Sequence, residues 1–366
     1  MHGKDVHLES VSITFPNGIT AVQPTDVSIE AGEFFSILGP SGCGKTTILR
    51  TVAGFVAPGA GRVLIGAEDM SGQSPGDRPT ALIFQTLALF PGMSLRDNVA
   101  FGLEARGMPR RKRHARAEDL LHLMGLDDKA DKKPAELSGS QPLRVAIARA
   151  LAVEPAVMFL DEPLSGLDRT LRRDMRAELR ETQKRTGITF IYATRDPGDA
   201  LVMSDRISVM NRGRIEQVGS SDAIYSNPKT AFAASFVGEA NRLPGRVTDA
   251  AAGLATIETG LGRFRARNPS QLDAGARGIL FVRPEAMELN RNDNAVSADL
   301  VRRDLEGPFV TLHFQAGGQC LSVCQSTPGE TALPMGGSAS LGFDPTAALI
   351  LPAGELFDAG HGIAAE

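Results

Sequence analysis

A glycine-rich turn between an apolar run and a helical pattern is the stretch best suited to bind phosphate. Residues 39–47 read GPSGCGKTT, in which Gly39, Gly44, Lys45 and Thr46 fit the spacing G-x-x-x-x-G-K-[ST]. Glycines let backbone N–H groups turn inward around phosphate oxygens, and a helix N-terminus adds positive partial charge. In this pattern the lysine reaches the β- and γ-phosphates and the threonine hydroxyl binds Mg²⁺. The spacing therefore predicts nucleotide binding, against the alternative of a coincidental glycine turn.

Two adjacent carboxylates follow a second apolar run. Asp161 and Glu162 come directly after residues 156–160, which read as a buried strand. An acid at the tip of a parallel strand can hold Mg²⁺, and a second carboxylate beside it can polarise an attacking water. Because two neighbouring carboxylates are costly in a core without partners, a purely structural role fits them poorly.

Two weaker candidates are a lone amide and a run of small residues. Gln85 ends an apolar strand that begins at Thr80, where an amide can ligate Mg²⁺ or orient a water; a plain loop amide is the alternative. Residues 137–141 read LSGSQ and open a helix, so they form a second candidate phosphate-binding N-terminus. Pro142 is compatible with a helix that begins near Ser140, since first-turn N–H groups have no partner within the helix.

The elements that must position these residues are strands alternating with helices. Val6 to Phe15 and Val22 to Ile29 alternate as strands around a Pro-Asn-Gly turn. Phe15 could stack on a purine ring, or could be a core or edge aromatic. Further strands are expected at 35–38, 62–65 and 188–194, and helices at 46–53, 144–152 and 171–185.

A basic cluster lies on a stretch that reads as one helix, from Asn98 to Leu126. Charge runs usually mark a solvated face. The functional alternative is contact with an anionic membrane surface or a membrane partner. The cluster consists of Arg106, Arg110, Arg111, Lys112, Arg113 and Arg116.

Length and charge narrow the class of protein. A chain of 366 residues predicts two domains. With 39 basic and 43 acidic residues the net charge is −4, which argues against general nucleic-acid binding through a basic surface. The first residues, MHGKDVHLES, have no apolar core of a secretory signal, and no apolar run approaches the roughly 18 residues that cross a bilayer. We expect a cytosolic or peripheral protein.

The three cysteines fit a reducing compartment. Cys320 and Cys324, with only His313 nearby, make a poor zinc site and are expected to be buried small residues. Cys43 lies where a helix N-terminus lowers the thiol pKa. Its oxidation or alkylation should then block nucleotide binding, with an inert buried thiol as the alternative.

In this order the motifs resemble those of the ATP-binding subunit of an ABC transporter, over about residues 5–238. The resemblance implies an α/β P-loop NTPase fold with a RecA-like core, an antiparallel β subdomain and an α-helical subdomain at about residues 88–152. It also implies two subunits that face head to tail, with each ATP between one glycine turn and the other subunit's signature segment. The segments that carry it are GPSGCGKTT at 39–47, IFQTLALFP at 83–91, LSGSQPLRVAIARAL at 137–151, VMFLDEP at 157–163 and SGLD at 165–168.

The resemblance also assigns roles to residues. Phe15 is expected to stack on adenine, and Glu162 to be the base for the attacking water, in a catalytic set completed by Lys45, Gln85 and Arg195. Mg²⁺ is expected on Thr46, Gln85 and Asp161. The other implied nucleotide-binding residues are Gly39, Pro40, Ser41, Gly42, Cys43, Gly44 and Thr47, with Asp168 and, across the dimer, Ser138, Gly139, Ser140 and Gln141.

Two places depart from the family pattern. The signature has Gly139-Ser140 where the family usually has two glycines, and residues 142–144 read PLR where it usually has QQR. The family's switch histidine corresponds to Arg195. Neutral imidazole both donates and accepts hydrogen bonds, whereas guanidinium only donates and stays charged. We predict intact ATP binding and slowed hydrolysis.

After residue 238 the chain reads as short strands separated by Gly, Asn and Asp, which predicts a small OB-like barrel. Low aromatic content and no evident basic stripe speak against an oligonucleotide ligand. Residues 236–247 and 282–285 resemble the TOBE-like accessory domain of importer ATPases for sugars, polyamines, iron and phosphonates, and most of all the polyamine and phosphonate group. We expect domains at 1–238 and 239–366, with barrel strands at 278–282, 309–314, 320–323 and 338–343.

The sequence thus predicts an ATPase subunit that energises solute import through an integral-membrane permease. The resemblance implies a homodimer at the cytoplasmic face of the cell membrane, indirect dependence on an extracytoplasmic solute-binding protein, and a permease contact from Gln85 to Phe90 and the following helices. Two alternatives stay open. One is a regulatory subunit with little turnover, because of Arg195; the other is a soluble ABC ATPase that acts on nucleic acid or ribosomes.

Overall fold

The computed structural model describes residues 2–327 and 333–354. The chain divides into two compact units, Met1–Asp222 and Ala223–Glu366. The sequence composition predicts this domain boundary later in the chain, after residue 238. Residues 328–332 and 355–366 of the expected second domain lie outside the described residues.

The first unit consists of strands and helices in alternation. Its helices are α1 (Lys45–Val52), α2 (Leu95–Ala105), α3 (Arg110–Leu123), α4 (Gln141–Ala152), α5 (Arg169–Thr186) and α6 (Pro197–Met203). Its strands are β1 (Val6–Thr14), β2 (Thr20–Ile29), β3 (Phe34–Leu38), β4 (Ala60–Ile65), β5 (Glu68–Asp69), β6 (Thr80–Ile83), β7 (Val157–Asp161), β8 (Thr189–Thr194), β9 (Arg206–Asn211) and β10 (Arg214–Gly219).

A six-stranded sheet in the order β10-β9-β3-β8-β7-β6 forms the centre of this unit. All its pairings are parallel except β10 with β9. Every residue of β3, β7 and β8 is buried, as expected for parallel strands covered on both faces. In β7, Met158 and Leu160 join the apolar cluster of α2, α3 and α4, whereas Val157 and Phe159 join the cluster of α1 and the β subdomain.

The register of this sheet aligns three strand ends. Leu38 of β3 pairs with Thr194 of β8, and Asp161 of β7 pairs with Ala193. The residues that follow these strands therefore leave the same edge of the sheet. They are Gly39, Glu162 and Arg195, the positions that the sequence motifs selected.

A second, antiparallel sheet in the order β2-β1-β4-β5 forms the β subdomain. Its strands β1 and β2 confirm the two strands expected around the Pro-Asn-Gly turn. Phe15 directly follows β1 at that turn, where its N–H donates to the Ile19 carbonyl oxygen at 2.9 Å.

Two local expectations are wrong. The strand from Thr80 ends at Ile83, so Gln85 lies in the loop beyond it and not at its tip. The single helix expected from Asn98 to Leu126 is two helices, α2 and α3. Gly107 with φ +77° and the following Pro109 break it, because neither residue sustains a helix interior. The expected start of α4 near Ser140 is confirmed, with Pro142 in its first turn.

The second unit is mostly β. Helix α7 (Ser221–Ser226) crosses the boundary, and α8 (Ala231–Phe236) packs its alanines against Ile279, Phe281 and Leu351. This packing explains why α8 groups with the C-terminal strands. The strands are β11 (Asn241–Ala251), β12 (Leu254–Thr259), β13 (Gly262–Arg267), β14 (Arg277–Val282), β15 (Met287–Leu289), β16 (Val296–Glu306), β17 (Phe309–Ala316), β18 (Gln319–Ser326), β19 (Ser338–Phe343) and β20 (Ala348–Pro352).

These strands form a barrel and a separate sheet. The closed barrel is β11-β12-β13-β20-β14, and the sheet is β15-β19-β16-β17-β18. Of the four strands expected in one barrel, only the one at 278–282 belongs to it; the other three lie in the sheet. Cys320 and Cys324, expected to be buried, are exposed and half-buried. They alternate in β18 with Leu321 and Val323, which take the core-facing positions.

Candidate nucleotide-binding site

The carboxyl edge of the six-stranded sheet opens into a cavity of about 620 Å³. The glycine turn, the end of β7, the end of β8 and the β9–β10 turn all contribute to its wall. Its mouth carries the aromatic ring of Phe15. The lining residues are Phe15, Ile19, Thr20, Ala21, Ser41, Gly42, Gly44, Lys45, Thr46, Thr47, Gln85, Glu162, Arg195, Arg212 and Gly213.

The glycines of the turn are required by its geometry. Gly42 and Gly44 have φ of +77° and +110°, which L-residues rarely adopt. A Cβ on Gly39 would lie 2.2 Å from the Met210 carbonyl oxygen, and one on Gly44 would lie 2.6 Å from the Ala21 carbonyl oxygen. Gly44 is also the N-cap of α1 and has no side chain to cap its first N–H groups. Those groups and the helix dipole favour an anion at this end.

Lys45 directs a nearly buried ammonium group across the turn. The residue is 4% exposed, and its Nζ donates to the carbonyl oxygens of Gly39 and Pro40, both at 2.9 Å. The same Nζ lies 3.5 Å from Glu162 Oε1. The positive charge is thus fixed between the glycine turn and the carboxylate that follows β7.

Thr46 and Asp161 form a set of oxygen donors. The Thr46 hydroxyl donates to Asp161 Oδ1 at 2.9 Å. Burial raises the pKa of Asp161, as does the neighbouring Glu162, while the hydrogen bond from Thr46 opposes the rise. Oxygen ligands of this kind are those that Mg²⁺ prefers, and a divalent cation would offset the cost of the buried charge. The residues present therefore fit magnesium.

Glu162 lies between two cationic groups. Its backbone has a φ of +46°, and its N–H donates to the Ala193 carbonyl oxygen at 3.0 Å. While Oε1 faces Lys45, Oε2 lies 3.7 Å from Arg195 Nε. The carboxylate is mostly buried, at 16% side-chain exposure, whereas the Arg195 side chain is 59% exposed. Arg195 can therefore move into solvent at little cost, but Glu162 cannot.

Gln85 reaches the same wall from the loop after β6. Its Nε2 donates to Ser165 Oγ at 3.4 Å, and that hydroxyl donates to the Glu162 carbonyl oxygen at 2.9 Å. The amide thus contacts the segment that carries the carboxylate, although its own strand ends two residues earlier.

The signature segment and Asp168 lie outside the cavity wall. Ser138 and Gly139 are exposed, and the Ser138 N–H donates to Gln141 Oε1 at 3.3 Å. Asp168 is the N-cap of α5 and accepts from the N–H groups of Thr170 and Leu171 at 2.9 and 3.0 Å. Neither segment lines the cavity of its own chain.

The structure also shows site residues that sequence reasoning missed. Arg212 and Gly213 line the cavity from the β9–β10 turn. Arg78, which is 6% exposed, donates from Nη1 to the carbonyl oxygens of Thr51 and Val52 at 3.0 and 2.8 Å. It therefore caps the C-terminus of α1, where a cation also complements the helix dipole. No local pattern marks these contacts, because each joins segments distant in sequence.

The expectation for Cys43 is wrong in direction. The thiol is buried, and burial raises its pKa, outweighing the opposing effect of Lys45. A helix N-terminus lowers a thiol pKa only where the thiolate is not desolvated to this extent. The alternative of an inert buried thiol fits the structure better.

Comparisons with known proteins give the family. The family described as ABC transporter matches residues 22–165, and the TOBE domain matches residues 280–351. The spermidine/putrescine import ATP-binding protein PotA of Thermobifida fusca is 44% identical over 290 residues, 78% of this chain and 76% of the relative. Its namesake from Mesorhizobium japonicum is 40% identical over 326 residues, 87% of this chain and 89% of the relative. A solved dimeric ATP-binding cassette in a post-hydrolysis state with ADP and Pi has a TM-score of 0.53 at 30% identity, over 59% of this chain and 98% of that chain.

These comparisons confirm the expected family and fold class, and they favour the importer prediction over the regulatory and nucleic-acid alternatives. Across residues 2–327 and 333–354, no helix has the length and apolar character needed to span a bilayer. The chain belongs to the ATP-binding proteins of importer-type ABC transporters, whose ATP hydrolysis is coupled to transport through membrane permease partners.

Proposed function

We propose that this chain binds Mg-ATP in the cavity at the carboxyl edge of the sheet and hydrolyses it to drive import of a polyamine. One observation carries the proposal: the Lys45 ammonium, the Thr46–Asp161 oxygen donors and the Glu162 carboxylate meet on one wall, at the N-terminus of α1. That combination suits a triphosphate with its metal, and few other ligands need all three.

The glycine turn and Lys45 would bind the phosphates. The N–H groups at the start of α1 would bind the β-phosphate, and Lys45 would exchange its two carbonyl contacts for phosphate oxygens. Phe15 at the mouth offers a ring face on which adenine can stack. Its side chain is partly exposed, so stacking would remove further apolar surface from water.

Thr46, Asp161 and Gln85 would hold Mg²⁺. When bound, the ion neutralises the negative charge that develops on the β- and γ-phosphate oxygens. On the protein side, Thr46 orients the Asp161 carboxylate through its hydrogen bond, and the loop that carries Gln85 contacts the Glu162 segment through Ser165.

Glu162 would accept the proton of the attacking water as general base. Its burial keeps bulk water from competing for the carboxylate, and Lys45 holds its other oxygen in place. Arg195 occupies the oxygen that would face the water, so hydrolysis should be slowed although ATP binding is intact.

A second copy of the chain would complete the site. Residues 138–141 and Asp168 do not line the cavity that contains Lys45, which supports a role for them across an interface. The solved cassette of the same fold is a dimer. We infer a head-to-tail homodimer, in which the signature of one subunit contacts the γ-phosphate held by the other.

The partners follow from the family and from the names of its relatives. Permease subunits in the membrane would contact residues 85–90 and the helices after them, and the chain would then lie at the cytoplasmic face of the cell membrane. The relatives are named for spermidine and putrescine, which supports a polyamine as solute rather than a phosphonate. A solute-binding protein outside the membrane would deliver the polyamine to the permease.

The test is polyamine uptake by proteoliposomes that contain the chain and its permease. Wild type should take up labelled spermidine only with ATP and Mg²⁺ inside, and Glu162→Gln should bind ATP but lose at least about a hundredfold in turnover, the scale of a general base. Glu181→Gln, an exposed change on α5, is the matched control. If Glu162→Gln hydrolyses ATP at the wild-type rate, Glu162 is not the general base. If ATP is hydrolysed without any spermidine uptake, the proposed import of a polyamine is wrong.

A further inference from the structure

Arg149 joins the helix after the signature to the loop after Gln85. The residue lies in α4, and its Nη1 donates to the Ala88 carbonyl oxygen at 2.6 Å while Nη2 donates to that of Leu87 at 2.7 Å. Its guanidinium carbon also lies 5.6 Å from the centre of the Phe90 ring. One planar fork thus contacts three residues of a single turn.

The turn that it contacts is conformationally unfavourable. Leu87 and Ala88 have φ of +59° and +47°, so two successive residues with side chains are left-handed. Such residues rarely adopt this conformation, because Cβ approaches the following carbonyl oxygen. Arg149 can stabilise it because both carbonyls then face the same fork, which no single-donor side chain would span.

Arg149 forms no ion pair with a carboxylate within residues 2–327 and 333–354. Partial burial lowers the pKa of the Arg149 guanidinium. Its charge is therefore balanced by the two carbonyl dipoles and the Phe90 ring. This half-buried guanidinium loses these partners if the turn changes conformation, so α4 and the turn stabilise each other.

The turn also fixes the place of Gln85. On its far side, buried Asn98 accepts from the Phe90 N–H at 2.8 Å and donates to the Phe90 carbonyl oxygen at 3.0 Å. On its near side, Gln85 contacts Ser165, which donates to the Glu162 carbonyl oxygen. Only Thr86 separates Gln85 from the left-handed pair.

We propose that Arg149 is a positioning residue that holds residues 87–88 left-handed and thereby places Gln85 against the segment that carries Glu162. This inference rests on the proposed function of the cavity. It adds a route by which the helix behind the signature and the loop assigned to the permease contact are coupled.

The first experiment compares ATP turnover and ATP affinity in the full chain with its permease. Arg149→Gln should lower kcat by about tenfold, the factor for one hydrogen bond to a charged group, with little change in ATP affinity. Arg106→Gln is the matched control, because Arg106 also donates to a carbonyl at the end of α4, that of Val153, but does not contact the turn. A wild-type kcat in Arg149→Gln would overturn the proposal.

A second variant separates this role from general loss of structure. Ala88 is exposed, so Ala88→Gly should fold normally, and glycine adopts the left-handed conformation without strain. Combined with Arg149→Gln, it should restore most of the lost kcat. Failure to restore any of the loss would show that the left-handed turn is not what Arg149 supports, and would overturn the proposal.

Hydrogen exchange gives a readout that does not depend on hydrolysis. Amide exchange in residues 84–91 should be faster in Arg149→Gln and return toward wild type with Ala88→Gly, whereas unchanged exchange would overturn the proposal. If Arg149→Gln does not fold, Ala88→Val replaces it, since a β-branched residue disfavours the same turn. If Ala88→Val then showed the wild-type kcat and the wild-type amide exchange in residues 84–91, that result would also overturn the proposal. A wild-type chain that neither binds nor hydrolyses ATP would instead refute the proposed function, while exchange still tests the turn.

Discussion

Arg195 Nε lies 3.7 Å from Glu162 Oε2, on the opposite side of the carboxylate from Lys45. The backbone on either side of Arg195 is held independently of this pair. Asp196 forms ion pairs with Arg172 and Arg176, and its N–H donates to the Thr194 hydroxyl at 3.0 Å. The Arg195 side chain can therefore change without moving the strand end, which makes the pair a clean target for substitution.

Arg195→His should increase ATP turnover. The substitution frees Glu162 Oε2 to accept from a water, and a neutral imidazole can both donate and accept. An exposed ion pair is worth about 0.2–1 kcal/mol, so the expected gain in kcat is about 1.4- to fivefold at unchanged ATP affinity. Steady-state hydrolysis with the permease present measures it.

The control for this change is Arg185→His, on an exposed arginine at the end of α5. It should leave kcat at the wild-type value. An equal or slower rate in Arg195→His would mean that the arginine does not restrain Glu162, and that the slowed hydrolysis expected from the sequence has no basis here.

Asp161→Asn should stabilise the chain in the absence of Mg²⁺ while weakening Mg-ATP binding. Because burial raises the pKa of Asp161 above its unfolded value, the folded state binds this proton more tightly than the unfolded state. The unfolding free energy contributed by this group therefore falls as pH rises from the unfolded pKa through the folded pKa, and then stays low. At neutral pH the asparagine removes that cost and its Oδ1 still accepts from Thr46, so the free energy of unfolding should rise.

Urea unfolding of wild type and Asp161→Asn at several pH values, without metal, measures this difference. The free energies of unfolding of wild type and Asp161→Asn should converge at acid pH, where the Asp161 carboxyl of wild type is protonated in both the folded and the unfolded state. A mutant that is less stable than wild type at neutral pH would contradict the prediction. Asp174→Asn, at an exposed position on α5, is the control and should change little.

Arg78→Met should destabilise the first unit by about 3 kcal/mol, because buried carbonyl oxygens lose their donors. The carbonyl oxygens that lose a donor are those of Thr51, Val52, Met70 and Gln73. Those of Thr51 and Met70 keep one backbone donor each, from Gly54 and Gln73. Arg62→Met, at an exposed pair with Glu9, should change stability by less than about 0.5 kcal/mol. Denaturant unfolding followed by a probe in the first unit measures both, and equal effects of the two variants would contradict the role assigned to Arg78.

The features of the fold and the site that the sequence predicts are those formed by contacts between neighbouring residues. The glycine turn, its strand and its helix are contiguous, so their spacing alone predicts their arrangement. Asp161 and Glu162 were predicted because each follows a strand whose apolar character is plain in the sequence. The parallel register then brings these strand ends to one edge without any further signal.

Arg149 and Arg78 could not be found in the same way. Arg149 binds a carbonyl 61 residues away, and Arg78 binds one 27 residues away. An arginine on a helix, as Arg149, or in a loop, as Arg78, is otherwise interpreted from sequence as a solvated residue. The left-handed conformation of residues 87–88 could not be predicted either, because neither residue is a glycine or asparagine, the types that favour such a turn. In the second unit, alternation predicted strands but not which of them close the barrel, since that choice depends on pairings between distant segments.

Cys43 should react with iodoacetamide much more slowly than Cys320. Both burial and a raised pKa keep the Cys43 thiol protonated and inaccessible, whereas Cys320 is exposed on β18. Because only thiolate attacks and only in contact with reagent, we expect a rate difference of at least about tenfold near pH 8. Mass spectrometry of labelled peptides over time measures both sites in one sample. Bound Mg-ATP should leave the Cys320 rate unchanged and slow Cys43 further, because the turn must open for the reagent to enter. Labelling of Cys43 at the Cys320 rate would show that its thiol is reactive, as the helix N-terminus alone suggested.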